Sequence, residues 1–178
     1  AHRSNMPFIS SMVKSGALSQ VEFALSGCPG TICALAGILQ SRPTWLQSPD
    51  NLSLQRVLVD QGYKTHFILS SNHRDYYDLK EYYEPIHYYF DGKDAIGRMG
   101  SDDYLVPEQL EKLGPWNGSP VFLMLGLVST HSLAYRAPKN RKFLPDRAHI
   151  SNPEDSIESY RNNYDNGILQ ADHVIELI

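Results

Sequence analysis

Residues 52–69, LSLQRVLVDQGYKTHFIL, predict a helix that runs directly into a strand. The first ten of these residues place their apolar side chains on one helical face. Gly62 is typical of the position after a helix end, and residues 63–69 form the expected strand. A helix followed by such a strand is half of a βαβ unit. The stretch therefore predicts an α/β fold.

A second strand is predicted where residues 120–128, PVFLMLGLV, form a continuous apolar run. Such a run is typical of a parallel strand that is buried on both faces. Helices are expected around these strands, and they complete an alternating pattern that favours a layered α/β domain. The predicted helices span 7–15, 31–40, 103–113 and 156–178, while 17–25 reads as extended and 71–92 as irregular.

Composition narrows the class of protein. The chain has 178 residues, of which 42% are hydrophobic and 20% charged, so a packed core is expected. The net charge is −4 and no basic block is present, so nucleic acid is not expected as a partner. No apolar run approaches the roughly 20 residues that a membrane-spanning helix needs.

Both ends of the chain indicate a fragment. The sequence opens AHRSNMPF without an initiator Met, and it closes on an apolar helical pattern that lacks a stop signal. We therefore expect an internal piece of a larger domain, in which the catalytic set is incomplete.

Thr31 is the first candidate for chemistry. It follows the turn Ser-Gly-Cys-Pro-Gly and opens a short apolar helix. A hydroxyl at a helix N-terminus lies beside unpaired N–H groups, which favour a phosphate or sulfate. A metal could there lower the pKa of the hydroxyl for nucleophilic attack. The alternative is an ordinary threonine N-cap.

His131 is the second candidate, because it follows the apolar strand 120–128. In parallel α/β sheets, ligands bind at the carboxyl ends of the strands. A histidine at that place can donate a hydrogen bond to an anionic oxygen or protonate a leaving group. We expect it at the end of a central strand, on the same sheet edge as Thr31. The alternative is a histidine on a surface loop.

Two further features are less specific. Residues 73–92 hold six of the eleven tyrosines, which either line a pocket for a polar group or pack as a loop on the domain. Cys28 and Cys33 are the only cysteines. They are too few for a zinc ribbon, and both a disulfide and two free thiols fit their spacing.

The order of these elements resembles the catalytic domain of the alkaline phosphatase/sulfatase superfamily, and within it the phosphoglycerol transferase and lipoteichoic acid synthase-like branch. The first motifs that carry this resemblance are the helix from Asn5 to Gly16 and Thr31, which is followed by Ser41 and Pro43. The others are the sequence GYKT that begins at Gly62, the sequence Ser-Thr-His at 129–131, and the helical pattern Tyr164, Ile168, Asp172 and Ile175. The resemblance implies an alkaline phosphatase-like layered fold with a mostly parallel sheet. Residues 1–178 would then be part of one sulfatase-type catalytic domain, without its first strand and its C-terminal metal-ligand strand.

The resemblance also implies a function. It makes the protein a metal-dependent transferase or hydrolase that acts on a substituted phosphoester of the phosphoglycerol or phosphoethanolamine type. Thr31 would be the nucleophile and a metal ligand, and His131 would bind substrate. The second histidine of the branch aligns with Leu69, so His73, a few residues further on, is carried over as a shifted equivalent. The cation would be manganese, magnesium, zinc or calcium, with its other ligands outside this chain.

The same resemblance implies a setting. Its members act outside the cytoplasm, in the periplasm or at the cell surface, on lipid-linked or sugar phosphoesters. Membrane attachment would come from upstream segments that this chain does not include.

Two alternatives stay open. A sulfatase would use a Cys or Ser within the pattern C/S-x-P/A-x-R, and the residues around Cys28 and Cys33 lack both its Pro or Ala and its Arg. A non-catalytic domain of the same fold would need no metal at all.

Overall fold

The computed structural model describes residues 4–76, 79–95, 101–146 and 156–178. Five helices and three strands, joined by four short 3-10 helices, form this part of the chain. The helices are α1 (Pro7–Lys14), α2 (Thr31–Gln40), α3 (Leu54–Asp60), α4 (Leu105–Leu113) and α5 (Ile157–Glu176). The strands are β1 (Lys64–Leu69), β2 (Tyr88–Phe90) and β3 (Val121–Gly126).

The three strands form one parallel sheet in the order β2-β1-β3. His66 of β1 lies opposite Tyr88 of β2 on one side and opposite Leu123 of β3 on the other. The expected α/β fold with a parallel sheet is confirmed. β3, however, is an outer strand of the described sheet rather than the central strand that the sequence predicts; β1 holds the central place.

Each face of the sheet is covered by a different helix, because side chains alternate between the two faces of a strand. Phe67 and Leu69 of β1 pack with Leu39 of α2 on one face. Ile68 packs with Leu105 and Val106 of α4 on the other face. The chain thus forms the layered helix–sheet–helix arrangement expected of its alternating pattern.

Most predicted elements are present, with differences at the short ones. The predicted extended stretch 17–25 has no regular secondary structure, and its side chains are exposed. β2 lies inside the stretch predicted to be irregular, since three residues give too short a pattern to recognise. The α4 helix begins at Leu105, and Asp102 caps the turn before it by accepting a hydrogen bond from the Tyr104 backbone N–H.

Helix α5 is present, but it buries a different face from the one its apolar residues indicate. Ile157 is 87% exposed and Tyr164 is 53% exposed. The buried side is instead rich in amides and carboxylates, which hold other segments in place: Asn162, Asp165, Asn166, Gln170 and Asp172.

Helix α1 illustrates this role of α5. Its own N-cap residue makes no capping bond, and Asp172 of α5 accepts hydrogen bonds from the backbone N–H groups of Phe8 at 2.8 Å and Ile9 at 2.9 Å. A carboxylate at this position satisfies N–H groups that a helix start leaves unpaired. The Asp172 side chain therefore fixes α1 to α5.

Candidate functional site

Thr31 is the first residue of α2, and its side chain is exposed. The N-cap residue is Gly30, in an extended conformation, and no side chain caps the helix. The alternative of an ordinary threonine N-cap is therefore wrong. In the described part of the chain the Thr31 hydroxyl makes no hydrogen bond, so it stands free beside the N–H groups of the first helical turn.

The turn before Thr31 is tied to α2 by a disulfide between Cys28 and Cys33, whose Cα atoms are 5.9 Å apart. The Gly30 backbone N–H also donates to the Cys28 sulfur at 3.3 Å. Of the two alternatives that the cysteine spacing left open, the structure has the disulfide. The disulfide therefore holds the turn that precedes Thr31 against the first turn of α2.

His131 follows β3 in a tight turn, and its side chain is exposed. Its backbone N–H donates to the Val128 carbonyl at 2.8 Å. Its Nδ1 accepts a hydrogen bond from the backbone N–H of Leu133 at 3.3 Å. Because a backbone N–H can only donate, the neutral ring carries its proton on Nε2. The exposed neutral ring of His131 therefore has a hydrogen-bond donor at Nε2.

Arg136 fastens the turn that carries His131. It is 9% exposed, and its guanidinium donates to the His131 carbonyl at 2.7 Å and also to the Ala134 carbonyl. A third contact, at 3.4 Å, reaches the Asn163 carbonyl of α5. The planar guanidinium group of an arginine has five N–H donors, so it can donate hydrogen bonds to several carbonyls at the same time.

Asp103 joins the ends of β1 and β3. It is fully buried, and its Oδ1 accepts from the Ser70 hydroxyl at 2.5 Å and from the Val128 N–H at 2.7 Å. Its Oδ2 accepts from the Ser129 N–H at 2.9 Å. One carboxylate thus sets the path of the chain two residues before His131.

His73 follows β1, the neighbour of β3. Its backbone N–H donates to Asp91 at 3.2 Å, and its Nδ1 lies 2.6 Å from the Tyr83 hydroxyl. Burial lowers the pKa of His73, opposed by the nearby charge of Asp91, so the ring is neutral near pH 7. Because the carboxyl ends of parallel strands meet at one edge, His73 and His131 belong to the same edge of the sheet.

The tyrosines of residues 73–92 serve mainly as packing. Tyr83 is fully buried and stacks on Phe67 with ring centroids 4.8 Å apart. Tyr82 and Tyr89 pack against the same cluster, and the Tyr89 hydroxyl donates to Asp91 at 2.7 Å. Of the two interpretations, the described tyrosines fit the packed loop. Tyr77 lies outside the described residues.

The arrangement was predicted only in part. The motif order predicts Thr31, His73 and His131 as site residues, and these assignments stay predictions; it does not point to Asp91, Asp103, Tyr83 or Arg136. These four support the histidines through partners distant in sequence, so no local pattern announces them. No described contact joins Thr31 to either histidine; what the fold shows is that α2 covers the sheet face that carries Leu69.

The residues that the structure describes do not form a divalent cation site by themselves. Among the described residues no group of three His, Cys, Asp or Glu side chains could hold a metal. The buried carboxylates Asp91, Asp103 and Asp172 accept hydrogen bonds from N–H or O–H donors, so none of them is a free ligand. The role of Thr31 as a metal ligand, which the resemblance implies, would need its other ligands from outside the described residues.

No helix in the described ranges is long and apolar enough to cross a membrane.

Comparison with solved structures shows the fold. The C-terminal periplasmic domain of phosphoethanolamine transferase EptC from Campylobacter jejuni matches 98% of this chain, with a TM-score of 0.74 at 15% identity. The corresponding domain of EcEptC from Escherichia coli also matches 98%, with a TM-score of 0.70 at 22% identity. Lipoteichoic acid synthase LtaP from Listeria monocytogenes matches 85%, with a TM-score of 0.50 at 21% identity.

The chain spans about half the length of the two EptC domains, 54% and 51%, and 35% of the LtaP chain. Among curated protein sequences none matches this chain significantly. The sulfatase family model matches residues 1–178. Together with the parallel sheet and the layered fold, this match shows that the chain belongs to the sulfatase family of the alkaline phosphatase-like superfamily.

Proposed function

We propose that the protein transfers a substituted phosphoryl group, of the phosphoethanolamine or phosphoglycerol type, through Thr31 as the nucleophile. The observation that carries the proposal is the state of Thr31 itself: it is exposed at the N-terminus of α2, and its hydroxyl caps nothing. A threonine that contributes no described hydrogen bond to the fold is available for chemistry. The similarity to two phosphoethanolamine transferase domains supports the choice of reaction.

The proposed reaction is a double displacement. The Thr31 oxygen bonds to phosphorus while the bond from phosphorus to the donor's leaving oxygen breaks. The threonine proton passes to solvent, and the leaving oxygen takes up a proton. The oxygen of a sugar hydroxyl or of water then bonds to phosphorus and gives up its proton to solvent, while the bond from phosphorus to the Thr31 oxygen breaks and that oxygen takes up a proton.

The two histidines are proposed to hold the phosphoryl group. Each is held through Nδ1, His131 by the Leu133 N–H and His73 by the Tyr83 hydroxyl. Their Nε2 atoms are then free to donate to phosphoryl oxygens, where negative charge increases in the transition state. The N–H groups of the first turn of α2 act on the same anion.

A divalent cation, whether manganese, magnesium, zinc or calcium, would supply charge neutralisation and a lower pKa for the Thr31 hydroxyl. Thr31 is the one residue of this chain that we assign to it.

We place the reaction outside the cytoplasm, on a lipid-linked or sugar phosphoester. The EptC domains that this chain resembles are described as periplasmic, and LtaP is described as a lipoteichoic acid synthase. Membrane association would come from segments outside this chain.

The sulfatase alternative in its cysteine form is disfavoured by the disulfide. Cys28 and Cys33 are the only cysteines and they are paired with each other, so neither thiol is free for conversion. A non-catalytic domain is the remaining alternative, and metal content and turnover of the full-length protein distinguish it.

The test is the variant Thr31→Ala in the full-length protein, with Thr44→Ala as a matched control on an exposed threonine. Thr31→Ala should abolish transfer and leave the circular dichroism spectrum unchanged, because the side chain makes no described contact that the fold needs. Thr44→Ala should retain activity. Wild-type turnover by Thr31→Ala would overturn the proposal.

A further inference from the structure

The hydrogen bond between Tyr83 and His73 goes beyond packing. We infer that the Tyr83 hydroxyl donates to Nδ1 of His73 and thereby fixes the tautomer in which Nε2 carries the proton. Tyr83 is then a positioning residue, acting on substrate through His73. This inference rests on the proposed role of His73 in binding the phosphoryl group, and it gives Tyr83 a role in the site beyond packing.

The direction of donation follows from burial. Tyr83 is fully buried, and the oxygen of its hydroxyl lies 2.6 Å from Nδ1 of His73. In the described ranges this is the sole hydrogen-bond partner of that hydroxyl. If His73 donated instead, the Tyr83 hydrogen would lack an acceptor inside the core, which is costly. The favourable arrangement has Tyr83 as donor and Nδ1 as acceptor.

The protonation of Tyr83 agrees with that direction. Burial, and secondly the charge of Asp91, raise the pKa of the Tyr83 phenol far above neutrality, so the hydroxyl keeps its hydrogen. The lowered pKa of His73 keeps its ring neutral, and a neutral imidazole has one nitrogen able to accept.

The surroundings prevent the pair from separating. The Tyr83 ring is stacked on Phe67 of β1, with centroids 4.8 Å apart. The His73 backbone is anchored by Asp91, which also accepts from the Arg74 N–H at 3.0 Å and from the Tyr89 hydroxyl at 2.7 Å. Both members of the pair are therefore attached to the sheet, and the direction of Nε2 is set by the fold.

The consequence concerns the ligand. An anionic phosphoryl oxygen accepts hydrogen bonds and donates none, so it requires Nε2 to carry hydrogen. The tautomer fixed by Tyr83 provides this hydrogen before substrate arrives. Without Tyr83 the neutral ring would divide between two tautomers, one of which cannot bind the oxygen through Nε2.

The first test reads the tautomer directly. Full-length protein labelled with ¹⁵N-histidine is studied by NMR near pH 7, and His73→Gln identifies the signals of His73 among the seven histidines. The ¹⁵N chemical shift of Nε2 should be that of a nitrogen that carries hydrogen, and the ¹⁵N chemical shift of Nδ1 should be that of an unprotonated nitrogen that accepts a hydrogen bond. Tyr83→Phe, which keeps the ring, should move both toward a mixture. Tyr82→Phe is the control, because its hydroxyl has no hydrogen-bond partner in the described structure, and it should change neither.

The second test reads activity. Tyr83→Phe should raise KM for a phosphoethanolamine lipid donor by about threefold to tenfold, the range for a lost hydrogen bond. In a His73→Gln background, which keeps a donor near the position of Nε2, Tyr83→Phe should have no further effect. A purely structural role would give additive losses.

The outcomes separate the two proposals. A wild-type His73 with its proton on Nδ1 overturns the inference about Tyr83, whatever the activity. The expected tautomer in a protein that neither binds nor turns over the phosphoester leaves Tyr83 as the donor and overturns the proposed function. If Tyr83→Phe fails to fold, the wild-type spectrum alone decides the direction of donation.

Discussion

At the scale of single residues, the proposed site consists of side chains that have a free hydrogen-bonding group. The Thr31 hydroxyl has no capping role, and each histidine is held through Nδ1. The residues that hold the two histidines are instead buried, and their charged groups form hydrogen bonds: Asp91, Asp103 and Arg136. The residues proposed to contact substrate are thus different from the buried residues that hold them in place. A buried residue can therefore be substituted without removing a group that contacts substrate.

Gly167 offers a test of that support. A Cβ added to this glycine of α5 would overlap the Ser129 carbonyl, which is backbone and cannot swing away. Gly167→Ala should therefore displace the turn that carries His131. We expect a loss of about 1–3 kcal/mol in the free energy of unfolding, together with a raised KM, as measured by denaturant unfolding and a transfer assay.

The control for this variant is Gly37→Ala in α2. Its added Cβ would meet the end of the Gln47 side chain at 3.3 Å, and a flexible side chain can adjust. Unchanged stability and KM in Gly167→Ala would contradict the close approach of α5 to the turn.

At the scale of elements, long periodic segments were predictable and buried polar contacts were not. Helix α2 was expected at 31–40 and is present at those residues, because its apolar pattern is local. Helix α5 was expected to bury its apolar side, yet its buried side carries Asn166 and Gln170, which hold the loop that follows β3. The partners of these amides lie twenty or more residues away, so neither periodicity nor propensity reveals them.

Asp146 gives a prediction for this loop. Its carboxylate accepts from Arg141 at 2.7 and 2.5 Å and from Asn166 of α5 at 2.9 Å. The Arg141 hydrogen bonds lower the pKa of Asp146. A lowered pKa stabilises the fold above the ordinary aspartate value of about 3.9, and the contribution is lost as pH falls through the lower value of the folded protein. Thermal unfolding between neutral and acid pH should therefore be less pH-dependent in Asp146→Asn than in wild type.

Asp60→Asn is the control for that variant, since Asp60 is exposed and makes no hydrogen bond through its side chain in the described structure. Its pH dependence should match wild type. An identical slope for Asp146→Asn and wild type would show that the contact with Arg141 contributes nothing.

At the scale of the whole molecule, the described surface carries many large apolar side chains. Large apolar side chains in the segments that precede and follow α2 along the chain are widely exposed: Val21 at 73%, Phe23 at 89%, Leu25 at 97% and Trp45 at 82%. Where exposed apolar side chains adjoin one another, they usually mark an interface. We propose that further parts of the catalytic domain cover these residues in the full-length protein.

Residues 1–178 expressed alone are therefore expected to unfold without a cooperative transition, to aggregate, and to bind divalent metal weakly. Burial is worth about 25 cal/mol per Å² of apolar surface, so losing a few hundred Å² removes much of a net stability of about 5–15 kcal/mol. Calorimetry and metal titration check this expectation. A sharp cooperative transition with tight stoichiometric metal binding would contradict it.

The central claim is that Thr31 carries the phosphoryl group, and trapping that intermediate tests it most directly. Full-length protein is incubated with a phosphoethanolamine or phosphoglycerol lipid but no acceptor, quenched in acid, digested and examined by mass spectrometry. The account predicts the mass of one substituted phosphoryl group on Thr31, and none in Thr31→Ala. An adduct on another residue, or an unmodified Thr31 in protein that turns over the same lipid, would contradict it.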